Sequence, residues 1–222
     1  MGRINNRKRS SGLLRIAIIG PQGSGKGTQV ELLKEKYALS EISVGEHLRE
    51  LAQKRTPIGL KLKKYWEKGK LVPDKLLIPI VKRLIEKQKN GIIFDGFPRT
   101  MTDAKFLMKN YPLTATIYLK LKDKDAVKRI SQRKECINCG AIHKKTAKKN
   151  CEKCGGELKQ RDDDKPKTIK TRLKIYHKTT EPVIRFLEKR SCLITAEGSK
   201  TIKQVFKEVN AKLKKECHLK IS

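Results

Sequence analysis

A chain of 222 residues is long enough for one core with small insertions and too short for a large multidomain assembly. With 54 Lys and Arg against 23 Asp and Glu, the net charge of +31 selects polyanionic partners, whether nucleotides, nucleic acid or an acidic membrane surface. Hydrophobic residues, 37% of the chain, fall in short periodic segments whose longest apolar runs, such as 16–19, are far too short to span a bilayer, so a soluble, cytoplasmic protein with no membrane partner is expected.

Residues 1–12 read as a solvated basic tail; Arg15 interrupts the apolar stretch that follows, which argues against a secretory leader. The β-branched run 13–19 leads directly into Gly20-Pro21-Gln22-Gly23-Ser24-Gly25-Lys26-Gly27-Thr28 and then into Val30, Leu32, Leu33 and Tyr37, which predicts strand, glycine loop and helix. Residues 44–74 are expected to be mostly helical, closing on Gly69, Lys70, Leu71, Val72 and Pro73 as a connection. Buried strands are predicted at 92–94, 115–121 and 192–195, and helices at 76–85, 126–130, 169–187 and 202–213. This alternation predicts an α/β fold, a P-loop-like parallel sheet with helices on both faces. Residues 135–161 carry too little aliphatic material to hold a core of their own.

The glycine loop carries the clearest chemistry. Consecutive backbone N–H groups can wrap a phosphate chain, the helix N-terminus adds favourable partial charge, and Lys26 can reach the β/γ oxygens. Gly27 stands where the common G-x-x-x-x-G-K-[ST] pattern has its hydroxyl, and Thr28 follows one residue later. Asp95-Gly96-Phe97-Pro98-Arg99 places a carboxylate and a guanidinium at the carboxyl end of a strand, where open α/β sheets bind ligands; Asp95 could hold water around Mg²⁺ and Arg99 could grip a second phosphate. Arg129 and Arg133 share a helix face before the cysteine segment, Arg161 and Arg172 follow it around Asp162, Asp163 and Asp164, and Arg49 is a weaker candidate for the same pocket. Cys136-x-x-Cys139 and Cys151-x-x-Cys154, 11 residues apart and each followed by a glycine, have the spacing of a tetrahedral zinc site. Cys192 and Cys217 read as a buried small hydrophobe and a near-surface thiol.

Together the Gly-Lys-Gly-Thr loop, the Asp-Gly-Phe-Pro-Arg-Thr run and the paired-cysteine insertion make the chain resemble an adenylate kinase with a long zinc-bearing lid, from about residue 13 to about 212. The resemblance implies Mg²⁺-dependent transfer of the terminal phosphate of ATP to AMP, giving two ADP. It divides the chain into a basic tail (1–12), a core (13–43, 75–134 and 162–222), a monophosphate-binding insert (44–74) and a lid (135–161). By it, Gly23, Ser24, Gly25, Lys26, Gly27, Thr28, Arg129, Arg133, Ile142, His143 and Lys200 would serve ATP. Val44, Gly45, Arg49, Lys70, Leu71, Val72, Gly96, Arg99, Asp103, Arg161 and Arg172 would serve AMP. Asp95 would organise hydrated Mg²⁺, structural Zn²⁺ would sit on the four cysteines, and Lys26, Asp95, Arg99, Arg129, Arg133, Arg161 and Arg172 would carry catalysis. Asp103 stands where relatives usually place a glutamine that reads the monophosphate base, Val44 where a threonine is usual, and His143 where an aromatic ring often follows the first cysteine pair. A carboxylate supplies acceptors only, so relaxed base selectivity is expected, with Thr100 or Thr102 reading the base if Asp103 points away. The alternative is a nucleic-acid-binding zinc-ribbon protein with a P-loop ATPase; nucleic acid is in any case not required by the kinase reading, only compatible with the charge.

Overall fold

The computed structural model describes residues 13–68, 70–144, 146, 148–161 and 164–217. The basic tail, Gly69 and the Asp162-Asp163 pair lie outside the described residues.

Five strands form a parallel sheet in the order β2-β3-β1-β4-β8: β1 (Arg15–Ile19), β2 (Ser40–Ser43), β3 (Ile92–Asp95), β4 (Ala115–Lys120) and β8 (Cys192–Glu197). The period of two sorts side chains between two cores. Ala17, Ile19, Ile92 and Phe94 face α4 (Asp74–Glu86), α5 (Met101–Asn110) and α8 (Glu181–Glu188), while Ile16, Ile18, Ile93, Ile117 and Leu119 face α1 (Lys26–Tyr37) and α9 (Ile202–Glu216). Burial on both faces explains why β1 and β3 read as continuous apolar runs. The edge strand β2, with Ile42 as its one buried residue, has no such signature and was not foreseen.

Helices α2 (Val44–Gln53) and α3 (Pro57–Glu67) form the insert between β2 and α4. After α6 (Asp123–Ser131) the chain leaves the main sheet and builds a small antiparallel one, β6-β5-β7, from β5 (Arg133–Cys136), β6 (Ile142–Lys144) and β7 (Leu158–Lys159). Its interior consists of Cys136, Cys151 and Leu158 with Ala141 against them, so sulfur occupies the place of an aliphatic core. The chain returns through α7 (Pro166–Ile175).

The helix expected over 169–187 is instead three pieces: α7, a π-helical turn at Tyr176–Thr180, and α8. Pro182, in the first turn of α8, has no N–H to donate and its ring crowds the carbonyl four residues back, so the backbone widens before it; the Thr179 hydroxyl bonds to the Ile175 carbonyl at 2.8 Å within this turn. Among the described residues no helix is long and apolar enough to cross a membrane.

Cys192 and Cys217 are not separate thiols. They form a disulfide, 25 residues apart in sequence, that ties the first residue of β8 to the residue closing α9, which corrects the reading of two unpaired cysteines. Closing a loop of this length stabilises a fold by about 3 kcal/mol in the chain-entropy account. Reduction by dithiothreitol, or Cys192→Ser, should therefore lower the melting temperature by roughly 6–12 °C; an unchanged melting curve under both conditions would show that the tether adds nothing.

Candidate active site

The glycine loop leaves the carboxyl end of β1 and turns into α1. At Gly20 a Cβ would sit 2.4 Å from the Leu119 carbonyl oxygen, so the loop can pass β4 only without a side chain. Gly25 takes the N-cap position of α1 with φ 94° and no side-chain cap, which leaves the first N–H groups of a 12-residue helix presented to whatever lies in front of them. Lys26 folds back over the loop, its Nζ donating to the carbonyls of Gly20 (2.9 Å) and Pro21 (2.8 Å). Burial pulls its ammonium down to about 8 from an ordinary 10.5; Asp95 opposes the shift, and Arg99, Arg172 and Arg133 add to it.

Asp95 ends β3 beside this loop, with a Cβ at Gly27 only 3.9 Å from its Oδ2. Its Oδ1 is buried without a hydrogen-bond partner among the described residues. Burial raises the Asp95 carboxyl, and Lys26 and Arg99 draw it back. An orphaned carboxylate oxygen next to a phosphate cradle fits a hydrated divalent cation.

Arg99 is fixed at both ends. Its Nε donates to the Gly96 carbonyl at 2.6 Å, its own carbonyl accepts from the Thr180 hydroxyl at 3.0 Å, and its N–H reaches Asp103 Oδ2 at 3.0 Å. Gly45, in the first turn of α2, comes so close that a Cβ there would lie 3.5 Å from Arg99 Nη2. Asp103 is 0% exposed and completes a capping box: its Oδ2 accepts from the backbone of Thr100, and its N–H donates to the Thr100 hydroxyl. The carboxylate expected at the monophosphate base is thus engaged as the cap of α5.

Two arms lead to the small sheet, and both bring arginines inward. Arg129 lies across the glycine loop, its guanidinium donating to the carbonyls of Gly23 (3.2 Å), Gly198 (2.7 Å) and Ser199 (3.3 Å). Arg133 makes a two-pronged contact with Asp164 (2.8 and 2.5 Å), and Arg172 approaches the same carboxylate at 4.0 Å. Arg161 makes another with Glu135, at 2.5 Å on both prongs.

These elements enclose a cavity of about 1750 Å³, larger than the roughly 300–1,000 Å³ of a typical small-molecule pocket. Gly23, Gly25, Lys26, Gly27, Thr28, Gly45, Arg49, Lys70, Leu71, Asp95, Gly96, Arg99, Arg129, Arg133, Ile142, Arg161 and Arg172 all line it. Ser24, Val44, Val72, Asp103, His143 and Lys200 stand outside its wall. Ser24 and Val44 are buried, Lys200 pairs with Glu208 at 2.8 Å, and His143 turns its Nε2 to within 3.3 Å of Cys151 Sγ. Sequence reasoning missed Gln22, Glu46, Glu135, Tyr176 and Thr180 on the wall. Glu135 had a signal: it alternates with Arg133 along β5, and therefore shares that arginine's face.

At the edge of the cavity, where Cys136 and Cys139 line its wall, Cys136, Cys139, Cys151 and Cys154 hold their sulfurs within 4.8 Å of one another. The separations of 3.4 Å (Cys136 to Cys154) and 3.7 Å (Cys139 to Cys151) approximate the edges of a tetrahedron with bonds of ~2.3 Å. Gly140 and Gly155, at φ 69° and 73°, make the two turns, their N–H groups donating to the Cys136 and Cys151 carbonyls. Backbone N–H groups of Cys139 and Asn138 help pull the Cys136 thiol down to about 7.

A strand-loop-helix phosphate cradle sharing one cavity with a second guanidinium and with arginines from both arms of the small sheet marks a P-loop phosphotransferase. The comparisons agree. Residues 18–192 match the family described as Adenylate kinase. The chain is 41% identical to the adenylate kinase of Archaeoglobus fulgidus over 91% of its length and 99% of the relative's, and 39% identical to that of Caldicellulosiruptor bescii over 88% and 97%. The adenylate kinase of Methanosarcina barkeri is likewise 41% identical, over 91% of this chain and 99% of its own. The chain belongs to the adenylate kinase family.

Two outcomes follow from this geometry. Since kcat/KM reports the free enzyme, raising the pH through about 8 strips the Lys26 charge, and kcat/KM for the nucleoside triphosphate should fall on that limb; Lys26→Ala should lose turnover at least ~100-fold with the fold intact and lack the limb. A parent profile flat to high alkaline pH would remove Lys26 from the site. The cysteine cluster should hold one tetrahedral divalent ion per chain, measurable by elemental analysis and lost in Cys151→Ser. Fully titrating thiols in the native, metal-supplied protein would contradict this.

Proposed function

We propose that the enzyme transfers the terminal phosphate of ATP to AMP, reversibly and with Mg²⁺, to give two ADP, acting in the cytoplasm. The observation that carries this reading is the set of groups gathered on one cavity: the glycine loop with Lys26, Asp95 and Arg99 close enough to feel one another's charge, Gly45 beside Arg99, and Arg133, Arg161 and Arg172 contributed by the arms of the flap. ATP lies with its β- and γ-phosphates on the loop N–H groups of Gly23, Ser24, Gly25 and Gly27 and on Lys26, and Arg129 holds the loop beneath it. The AMP phosphate is gripped by Arg99 and Arg49, roofed by α2 and α3.

Bound Mg²⁺ supplies charge neutralisation between the phosphates, and Asp95 is the residue to hold its water shell. The protein provides positioning, a fixed set of cations around the equatorial oxygens, and exclusion of water when the two inserts close; no protein nucleophile is required. Zinc is the ion we assign to the four cysteines, because four thiolates in tetrahedral array suit it and leave no open position for catalysis. The family match lends no support to the nucleic-acid-binding alternative.

Base selection is expected to be relaxed. With the Asp103 carboxylate engaged in capping α5, the adenine edge loses a side chain that could both donate and accept. A coupled assay with ATP across AMP, CMP, GMP and UMP tests activity and selectivity together. AMP turnover is expected, along with a second monophosphate within roughly 100-fold in kcat/KM, and Asp103→Gln, at a buried capping position outside the cavity wall, should leave that ratio within about two-fold. No turnover with any monophosphate would sink the function; strict AMP selectivity in the parent would sink the selectivity reading alone, and a large shift of selectivity in Asp103→Gln would show that this position reaches the base after all.

A further inference from the structure

The cavity carries many cations, yet carboxylates also lie in its wall, and among them Glu135 stands on the lid sheet beside the arginines of its arms. A carboxylate there repels incoming phosphate unless a protein cation engages it. Arg161 does so: Nε and Nη2 meet the two carboxylate oxygens in a fork, with side-chain exposures of 12% for Arg161 and 22% for Glu135. The strand register explains the meeting. Glu135 pairs with Lys159 across β5 and β7, so Arg161, two residues further on, lies diagonally opposite on the same face.

A second fork mirrors the first. Arg133, on the outgoing arm, takes Asp164 of the returning arm, while Arg161, on the returning arm, takes Glu135 of the outgoing arm. Both forks use the Nε and Nη2 edge of the guanidinium. A carboxylate on that edge fixes the plane of the group. Asp164, with a side chain 0% exposed, is sealed away from any ligand, whereas Glu135 stands at the cavity surface.

We propose that Glu135 is a positioning residue for phosphoryl transfer: its fork with Arg161 sets the plane and direction in which that guanidinium meets the reacting phosphates. The proposal rests on the assignment of Arg161 to those phosphates. Because preorganised charge is felt most in the transition state, losing the fork lowers kcat more than it alters KM.

The test is a double-mutant cycle on the metal-loaded enzyme with ATP and AMP. Glu135→Ala is expected to lower kcat about ten-fold with KM values within about three-fold, Glu135→Gln to fall between it and the parent, and Arg161→Lys to lower kcat. In the Arg161→Lys background, Glu135→Ala should cost almost nothing more. Metal content and melting temperature report whether each variant keeps its lid, and Glu135→Gln serves if the alanine variant does not fold. If Arg161→Lys is silent, the assignment of Arg161 fails and takes the proposal with it. If Arg161→Lys is damaging while Glu135→Ala is silent, or the two losses multiply, the assignment stands and the proposal falls. Tighter nucleotide binding in Glu135→Ala with kcat unchanged also overturns it, making the carboxylate a repulsive element instead.

Discussion

Like charges held together in one cavity are the constraint on which the remainder of this structure turns. Lys26, Arg99, Arg133, Arg161 and Arg172 line a common space that must accept polyphosphates, and at protein-like effective dielectric each pair repels by more than it would in water. The fold meets this by interleaving carboxylates at fixed positions: Asp95 near Lys26, Asp164 against Arg133 and Arg172, Glu135 against Arg161. Burial lowers the Lys26 ammonium to about 8, and a phosphate placed beside it would favour the charged form.

The main sheet provides the rigid frame for this arrangement. Parallel register places the ends of β1, β2 and β3 side by side, so Ile18, Asp95 and Ser43 lie in one row and the loops after them open on one edge. Two cores clamp the sheet from either side, while the lid has only a sulfur-centred cluster. The insert of α2 and α3 shares the main core through Val44, Leu48 and Leu62, so the lid is the part with the least apolar packing, and a metal on its four cysteines would give it the shape that hydrophobic burial cannot.

Features encoded within a few residues were legible in the sequence. The glycine loop, the Asp95-to-Arg99 turn and the two cysteine pairs needed only spacing, and β1, β3, β4 and β8 were visible as apolar runs. What escaped depends on tertiary proximity or on weak patterning. Strand β2 carries a single buried side chain, and the Cys192 to Cys217 bond joins residues that only the packing of α9 beside β8 brings together. Asp103 was read through resemblance as a base contact, although Thr100-x-x-Asp103 is itself a capping-box pattern, and in the folded chain the local hydrogen bonds hold it. The interruption between α7 and α8 was signalled by Pro182 but hidden by an apolar period that continues through it.

The six cysteines also impose an order on how the newly made chain matures. Six thiols allow fifteen complete pairings, of which only patterns joining Cys192 to Cys217 match the native bond. Capture of Cys136, Cys139, Cys151 and Cys154 by an ion would withdraw four of them from exchange and leave a single oxidisable pair. A metal held by the lid would thus act as a chemical protecting group, keeping its four thiols from competing for the bond that ties β8 to α9.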